Sequence, residues 1–366
     1  MARKQFLSFL LIFSLLFSCA SALAEADDDD DWDDNVDDAW EMEHSLRSGD
    51  YAYALLDDGT VEITSYGGDD AEIVIPDTLD GKPVTAIGEL AFHFSLSLTS
   101  VTISDSVTCI SKRAFSCCYN LMSIALPSGL TAIESGTFDL CKSLTTIDIP
   151  DSVAAIADDA FIGCKALQSF TLSPNHPYFF LADGALCRTA DSMLLFYPNA
   201  REDRTFRIPD GITAINAYAF YDCDLLESVV VPDSVTQLPV RAFSGCSALA
   251  SVSLPDSLTE IGTAAFSGCS AMTGIRIPAA ITEIINHTFS GCTSLATLEI
   301  PDSVTKIGDY AFFGCTSLTS IAIPNSVTTI GNGAFSYCDA LTLTVTPDSC
   351  AAEYAQANGI SYTCVD

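Results

Sequence analysis

Fifteen cysteines and four histidines are the side chains of this 366-residue sequence that a chemical site would use first. Nine of the cysteines occupy one recurring position: Cys118, Cys141, Cys164, Cys223, Cys246, Cys269, Cys292, Cys315 and Cys338. Such a column has three uses: ligating metal, cross-linking the chain, or filling a core. Metal sites need clustered tetrahedral ligands, and no C-x-x-C pair occurs within the column. Equivalent positions on stacked coils would sit nearly 5 Å apart with parallel side chains. A disulfide needs Cβ atoms about 3.8 Å apart and converging. The column therefore reads as small buried hydrophobes, in a setting that tolerates free thiols. Cys350 and Cys364, close to the C-terminus, are the one possible disulfide, while Cys109, Cys117 and Cys187 have no evident partner.

The histidines (His44, His93, His176 and His287) accompany no nucleophile motif; neither H-E-x-x-H nor G-x-S-x-G is present. No glycine-rich phosphate loop follows a strand pattern. An aspartate column, Asp77, Asp105, Asp151, Asp210, Asp233, Asp256, Asp302 and Asp348, invites comparison with a calcium ladder. Pro-Asp-Ser more commonly makes a turn whose side chains bond nearby backbone amides, and that is the reading adopted. No catalytic residue, metal or cofactor is expected.

What must position these side chains is a repeat. One unit runs Leu295-Ala-Thr-Leu-Glu-Ile-Pro301-Asp-Ser-Val-Thr-Lys-Ile-Gly-Asp-Tyr-Ala-Phe312-Phe-Gly-Cys315, and from Pro209 to Pro347 its proline recurs every 23 residues. A second column is Phe92, Phe115, Phe138, Phe161, Phe220, Phe243, Phe266, Phe289, Phe312 and Phe335. Leu298-x-Ile300 alternates and stops at a proline that has no amide to donate, so it predicts a short strand. Ser303 to Gly308 predicts a second extended piece ending at a turn. Ala311-Phe312 opens a compact, helical or irregular stretch. A single unit cannot bury its apolar side; stacked units can.

The pattern L-x-x-I-x-I-P-x-S-V-T-x-I-G-x-x-A-F-x-G-C resembles the BspA-type leucine-rich repeat of bacterial surface proteins, over roughly residues 50–364. The resemblance implies an α/β repeat solenoid, a right-handed stack of about ten 23-residue coils with one continuous parallel sheet. It also implies exposure at the cell surface or secretion, and adhesion to host matrix proteins or to other bacteria, without shared catalytic residues.

Around the solenoid (76–346) the periodicity lapses in three places. Residues 50–75 predict an N-terminal β cap, a hairpin turning at Asp58-Gly59. Pro150 and Pro209 lie 59 residues apart, 36 more than one unit, and the excess (173–208) predicts a protruding hairpin about Asp183-Gly184. Residues 347–366 predict a C-terminal cap with a short helix.

Two contact surfaces are candidates. The outward slots of the main strands form the face expected to be concave, among them Ser228, Ser251, Ser253, Arg276, Thr297, Glu299 and Ser320. They lack the usual aromatic anchors, and a plain solvated sheet is an equal reading. The inserted hairpin offers Tyr178, Phe179, Phe180, Phe196 and Tyr197, some of which must instead pack inward.

Residues 1–24 carry Arg3 and Lys4, an apolar run and an Ala22-Leu23-Ala24 exit, the pattern of a secretory signal peptide. Cys19 directly after the apolar run leaves a lipoprotein signal open, so the protein is expected outside the cell, lipid-anchored or free. Residues 25–49 read as a self-repelling acidic linker; they lack the register of a calcium loop. A formal net charge of -33 disfavours nucleic acid and anionic membranes. Nothing later in the sequence looks transmembrane. A monomer with a protein partner is expected; a purely structural spacer and a carbohydrate-active β-helix enzyme are the alternatives.

Overall fold

The computed structural model describes residues 46–365. The signal segment with Cys19, the acidic stretch up to residue 45 and His44 lie outside the described residues.

Each repeat contributes two strands to two parallel ladders. The main strands are three or four residues long, with a buried middle side chain: Ser228–Val230 pairs in register with Ser251–Ser253, and Gly274–Arg276 with Thr297–Glu299. Minor strands of two residues pair likewise, as in Lys306–Ile307 beside Thr329–Ile330. The expected continuous sheet is instead a series of two- and three-stranded pieces. Such brief strands, stopped by a proline without an amide hydrogen, sustain few ladder bonds each.

Between the ladders runs the phenylalanine column. Its rings are at most 3% exposed and stack coil on coil, with centroids 4.8 Å apart for Phe220 and Phe243 and 5.7 Å for Phe266 and Phe289. The stacked rings, together with the buried aliphatic side chains of each coil such as Leu298, Ile300, Val304 and Ile307, bury apolar area against the two neighbours that a coil touches.

The stretch around each phenylalanine is turns, and the helical content expected of an α/β class reduces to one helix among the described residues, Cys350–Asn358. The backbone explains why. Two places before the ring and two after it, the chain repeatedly takes positive φ, as at Ala264 (φ 54°) and Gly268 (φ 75°) around Phe266. A left-handed residue every four positions cannot propagate a right-handed helix.

Both caps form. Tyr51–Leu55 and Val61–Tyr66 make the N-terminal hairpin, and Val61–Tyr66 joins the minor ladder beside Lys82–Ile87. The cap reaches further back than residue 50, because Leu46–Ser48 adds an antiparallel strand to Tyr51–Leu55. At the other end Ser349 caps the helix N-terminus, Gly359 closes it with φ 67°, and Ser361–Cys364 extends the last main ladder.

The insertion does not protrude. Phe179–Ala182 and Ala185–Arg188 form the hairpin, with Asp183 and Gly184 both at positive φ, as a type I′ turn requires. A third strand, Met193–Phe196, then folds back and pairs in parallel with Ala214–Ile215, taking a place in the minor ladder. Alternation sends its neighbours to opposite sides: Ala185, Cys187, Leu194 and Tyr197 join the C-terminal core, whereas Phe179, Leu186, Leu195 and Phe196 join the N-terminal one. The inserted sheet is thus a partition with apolar side chains on both faces, which is why it cannot stand out in water. Tyr197 stacks 5.3 Å from Phe220 and so occupies the phenylalanine column itself.

Candidate binding surface

The main strands expose alternate side chains in a field set by their register. Over the C-terminal half of the solenoid this field forms an open trough of about 980 Å³, whose lining includes Ser251, Gly274, Arg276, Thr297, Glu299 and Ser320. Gly274 keeps the floor low: a Cβ there would lie 3.2 Å from the Thr297 carbonyl oxygen. A second hollow of about 570 Å³ adjoins it through Arg276 and is edged by Arg207, Asp210, Asp233, Ser253 and Asp256. Arg276 Nη1 lies 2.7 Å from Asp256 Oδ1, with both side chains largely exposed. Exposed pairs are worth about 0–1 kcal/mol, so this guanidinium can exchange its partner for a ligand carboxylate at small cost.

Five of the seven strand-face candidates therefore line one trough, Ser253 lies in the adjoining hollow, and Ser228 lines neither, pairing between Thr205 and Ser251. Thr344 also lines the trough, although the 23-residue step does not point to it. The last main strand comes one residue early, so Ala322 pairs with Thr344, 22 places on. The insertion makes no comparable surface: Phe179, Phe196 and Tyr197 are buried, Phe180 is half-buried, and only Tyr178 is exposed.

The cysteine column has a further job besides filling space. Each thiol donates to the carbonyl of the preceding coil's aromatic residue, from Cys118 to Phe92 (3.0 Å) through Cys292 to Phe266 (3.1 Å) to Cys338 on Phe312 (3.1 Å). Burial pushes Cys118 and Cys292 up to about 12 and Cys141, Cys223 and Cys269 well above the ordinary thiol value. Burial thus favours the protonated thiol, the less nucleophilic form. Cys350 is half-buried and Cys364 exposed, and both thiols are free.

The aspartate column works at turns. Asp105 Oδ1 accepts the Ser128 amide at 2.8 Å, Asp151 Oδ1 accepts the Ser173 hydroxyl at 2.6 Å, and Asp77 bonds Ser104. The Ser128 amide and hydroxyl hold the Asp105 carboxyl below its ordinary value. No group of three or more potential ligands is placed to hold a metal ion among the described residues.

His93, Ser116 and Asp139 follow one another on adjacent coils, and His93 Nδ1 lies 2.5 Å from Ser116 Oγ. The order places the serine between histidine and carboxylate, not the histidine between them, and Ser116 is 1% exposed. His176 is structural: its Nε2 lies 2.9 Å from the Pro150 carbonyl, while its Nδ1 accepts the Tyr178 and Phe179 amides.

The repeat geometry coincides with a family match. Residues 71–180 and 204–351 match the BspA type leucine rich repeat region in 6 copies. The chain belongs to the BspA-type leucine-rich repeat family. This BspA-type chain is similar to the solved structure of a leucine rich cell surface protein from Faecalibacterium prausnitzii, with 30% identity and a TM-score of 0.50, covering 87% of this chain and 97% of that one. A leucine-rich repeat protein from Eubacterium ventriosum shares the fold at 24% identity, TM-score 0.61, over 79% and 93% of the two chains. The pneumococcal vaccine antigen PcpA shares it at 18%, TM-score 0.61, over 88% and 98%. No curated protein matches this BspA-type chain in sequence. Among the described residues no helix is long and apolar enough to cross a membrane.

Proposed function

We propose that this protein is exported and acts at the cell surface or outside the cell as a monomeric interaction protein, holding an extended segment of a partner protein along the main-strand trough. The observation that carries the reading is the trough itself: five outward side chains from four successive strands converge on one open groove, with Arg276 and Glu299 as opposite charges on its floor strands. Groove-borne specificity from charge placement, with affinity from a long contact, suits a segment of polypeptide. The likeness to a leucine rich cell surface protein supports the location. Adhesion, to host matrix proteins or to surface proteins of other bacteria, is the corresponding role.

Binding is proposed rather than catalysis. A glycosidase groove needs a pair of carboxyl groups, and the trough is lined by a single one, Glu299.

The test is a pull-down of matrix and bacterial surface proteins by the full chain and by an Arg276→Glu, Glu299→Lys double variant. The reading requires a specific partner whose capture drops at least tenfold with the double variant. Equal capture by both forms overturns the trough, and no specific capture overturns the interaction role. Mass spectrometry of the native N-terminus distinguishes lipidation at Cys19 from a free start at Glu25.

A further inference from the structure

On the turn side of the last coils, aromatic side chains are displayed where the repeat does not call for them. His287 and Tyr310 stack at 5.2 Å, Tyr310 meets Phe313 edge-on at 5.9 Å, and Phe313 meets Tyr337 edge-on at 4.9 Å. Tyr337 is 67% exposed and Tyr310 36%. None of the four lines the trough.

At Tyr337 the backbone makes this display expensive. Tyr337 sits at φ 62°, in the column where the four preceding coils carry Gly245, Gly268, Gly291 and Gly314. Tyr310 (φ 53°) and His287 (φ 57°) occupy the other left-handed column, where side chains are usual (Arg241, Ala264) but the next coil carries Gly333. Gly333 leaves room for the Tyr310 ring, since a Cβ there would lie 2.7 Å from it. A bulky side chain at such a position is strained relative to glycine, and retained strain marks sites with a use.

The charge of the surroundings says which ligand fits. The chain has 48 acidic residues against 15 lysines and arginines. Asp309 adjoins Tyr310, fixed by the Asn332 amide at 2.6 Å, and exposed Asp339 follows Tyr337 by two places. An anionic ligand would be repelled; a cation would gain both the ring faces and the carboxylates. The protein already makes this kind of contact with its own side chains, Arg201 lying 5.7 Å from the Tyr197 ring centroid. In the corresponding turns near the N-terminal end, Lys142 Nζ lies 4.4 Å from the Tyr119 ring centroid, and Phe94 meets that ring edge-on at 5.9 Å.

We propose that the strip of Tyr310, Phe313 and Tyr337 is a second binding surface, which takes lysine or arginine side chains of a basic polypeptide. It is independent of the trough.

The probe is a fluorescent peptide of alternating arginine and serine, with a glutamine-for-arginine copy as control, titrated at 150 mM salt against the full chain. Tyr337→Gly restores the residue of the neighbouring coils, so that variant should melt no lower than the parent. It should nevertheless bind the arginine peptide roughly fivefold more weakly, while Tyr337→Phe keeps parental affinity and the glutamine peptide does not bind. Arg276→Glu, in the trough, should leave this affinity within about twofold, which separates failure of this surface from failure of the trough. Equal affinity for the parent and Tyr337→Gly would mean diffuse attraction to an acidic surface and overturn the proposal. Binding of a neutral oligosaccharide that depends on Tyr337, without binding of the arginine peptide, would assign a glycan instead and also overturn it.

Discussion

The Cys246 thiol donates to the Phe220 carbonyl across the coil boundary at 2.9 Å, both residues being fully buried. The contact joins the two columns of the repeat: the ring fills the interior of one coil, and the thiol of the next is a second donor to a carbonyl that already accepts the Cys223 amide at 3.2 Å. A buried carbonyl has two lone pairs, and a residue both small and able to donate fits the slot facing the second.

Removing that donor should destabilise the fold beyond the lost volume. Cys246→Ala is expected to lower stability by about 1–3 kcal/mol, and Cys246→Ser to recover part of it, because a hydroxyl can donate to the same carbonyl. Urea unfolding of the three proteins measures this. Identical losses for alanine and serine would leave the hydrogen bond without energetic weight.

Thiol accessibility should divide sharply. In the native protein Cys109 and Cys364, both exposed, should react with a thiol reagent at neutral pH, whereas the column cysteines should react only on unfolding. Peptide mapping after timed alkylation reads this directly. Fast labelling of Cys246 or Cys269 would contradict the packing.

Alkaline pH should unfold the protein. Burial raises the folded-state value of Cys118 and Cys292 to about 12, against an ordinary thiol value of 9.0. Below about 9 both states hold the proton and the stability is intact. Between about 9 and 12 only the unfolded chain releases it, so stability falls with rising pH, by up to about 1.4 kcal/mol per unit for each such thiol. Denaturation midpoints measured from pH 7 to 11 should drop above pH 9; a flat profile would rule out buried, protonated thiols.

Asn216 stands where other coils carry Gly262, Gly308 or Gly331, and its buried Nδ2 has no hydrogen-bond partner. Asn216→Ala, matching Ala157 in an earlier coil, should raise stability by about 1 kcal/mol. A lower melting temperature would show that the amide has a partner in solution.

Where the inserted sheet parts the two cores, cooperativity should weaken. Hydrogen exchange is expected to resolve two protected blocks meeting near residues 179–197, since coils interact only with neighbours and the partition interrupts the ring stack. Uniform exchange throughout 61–345 would refute this.

The regular part of the fold was legible because a residue that must face inward on every coil recurs at a fixed step. Phe266 and Cys269 are readable from that step alone. The stretch around Phe266 reads as helical or irregular, and the glycine of the A-F-x-G-C pattern, present as Gly163, Gly245, Gly268, Gly291 and Gly314, is the signal of a left-handed position that favours the irregular form. Tyr197, named among the hairpin candidates, is not legible as a member of the ring column for a different reason: it lies 36 residues after Phe161, and a tyrosine replaces the phenylalanine, so neither spacing nor residue type marks it. Of the candidate site, Arg276 and Glu299 were foreseeable because strand alternation fixes their side. The enclosure of the trough was not, since it depends on how successive strands are set against one another, and so does the exposure of Tyr337.

Tyr197 also bears on what this scaffold can carry. By resuming the ring stack after 36 residues instead of 23, it lets the coil absorb extra chain without throwing later coils out of phase. The Asp183-Gly184 bend is therefore a natural splice point. A guest loop grafted there would be displayed from a fixed platform while the flanking repeats keep their alignment, which makes the insertion a ready vehicle for presenting foreign epitopes.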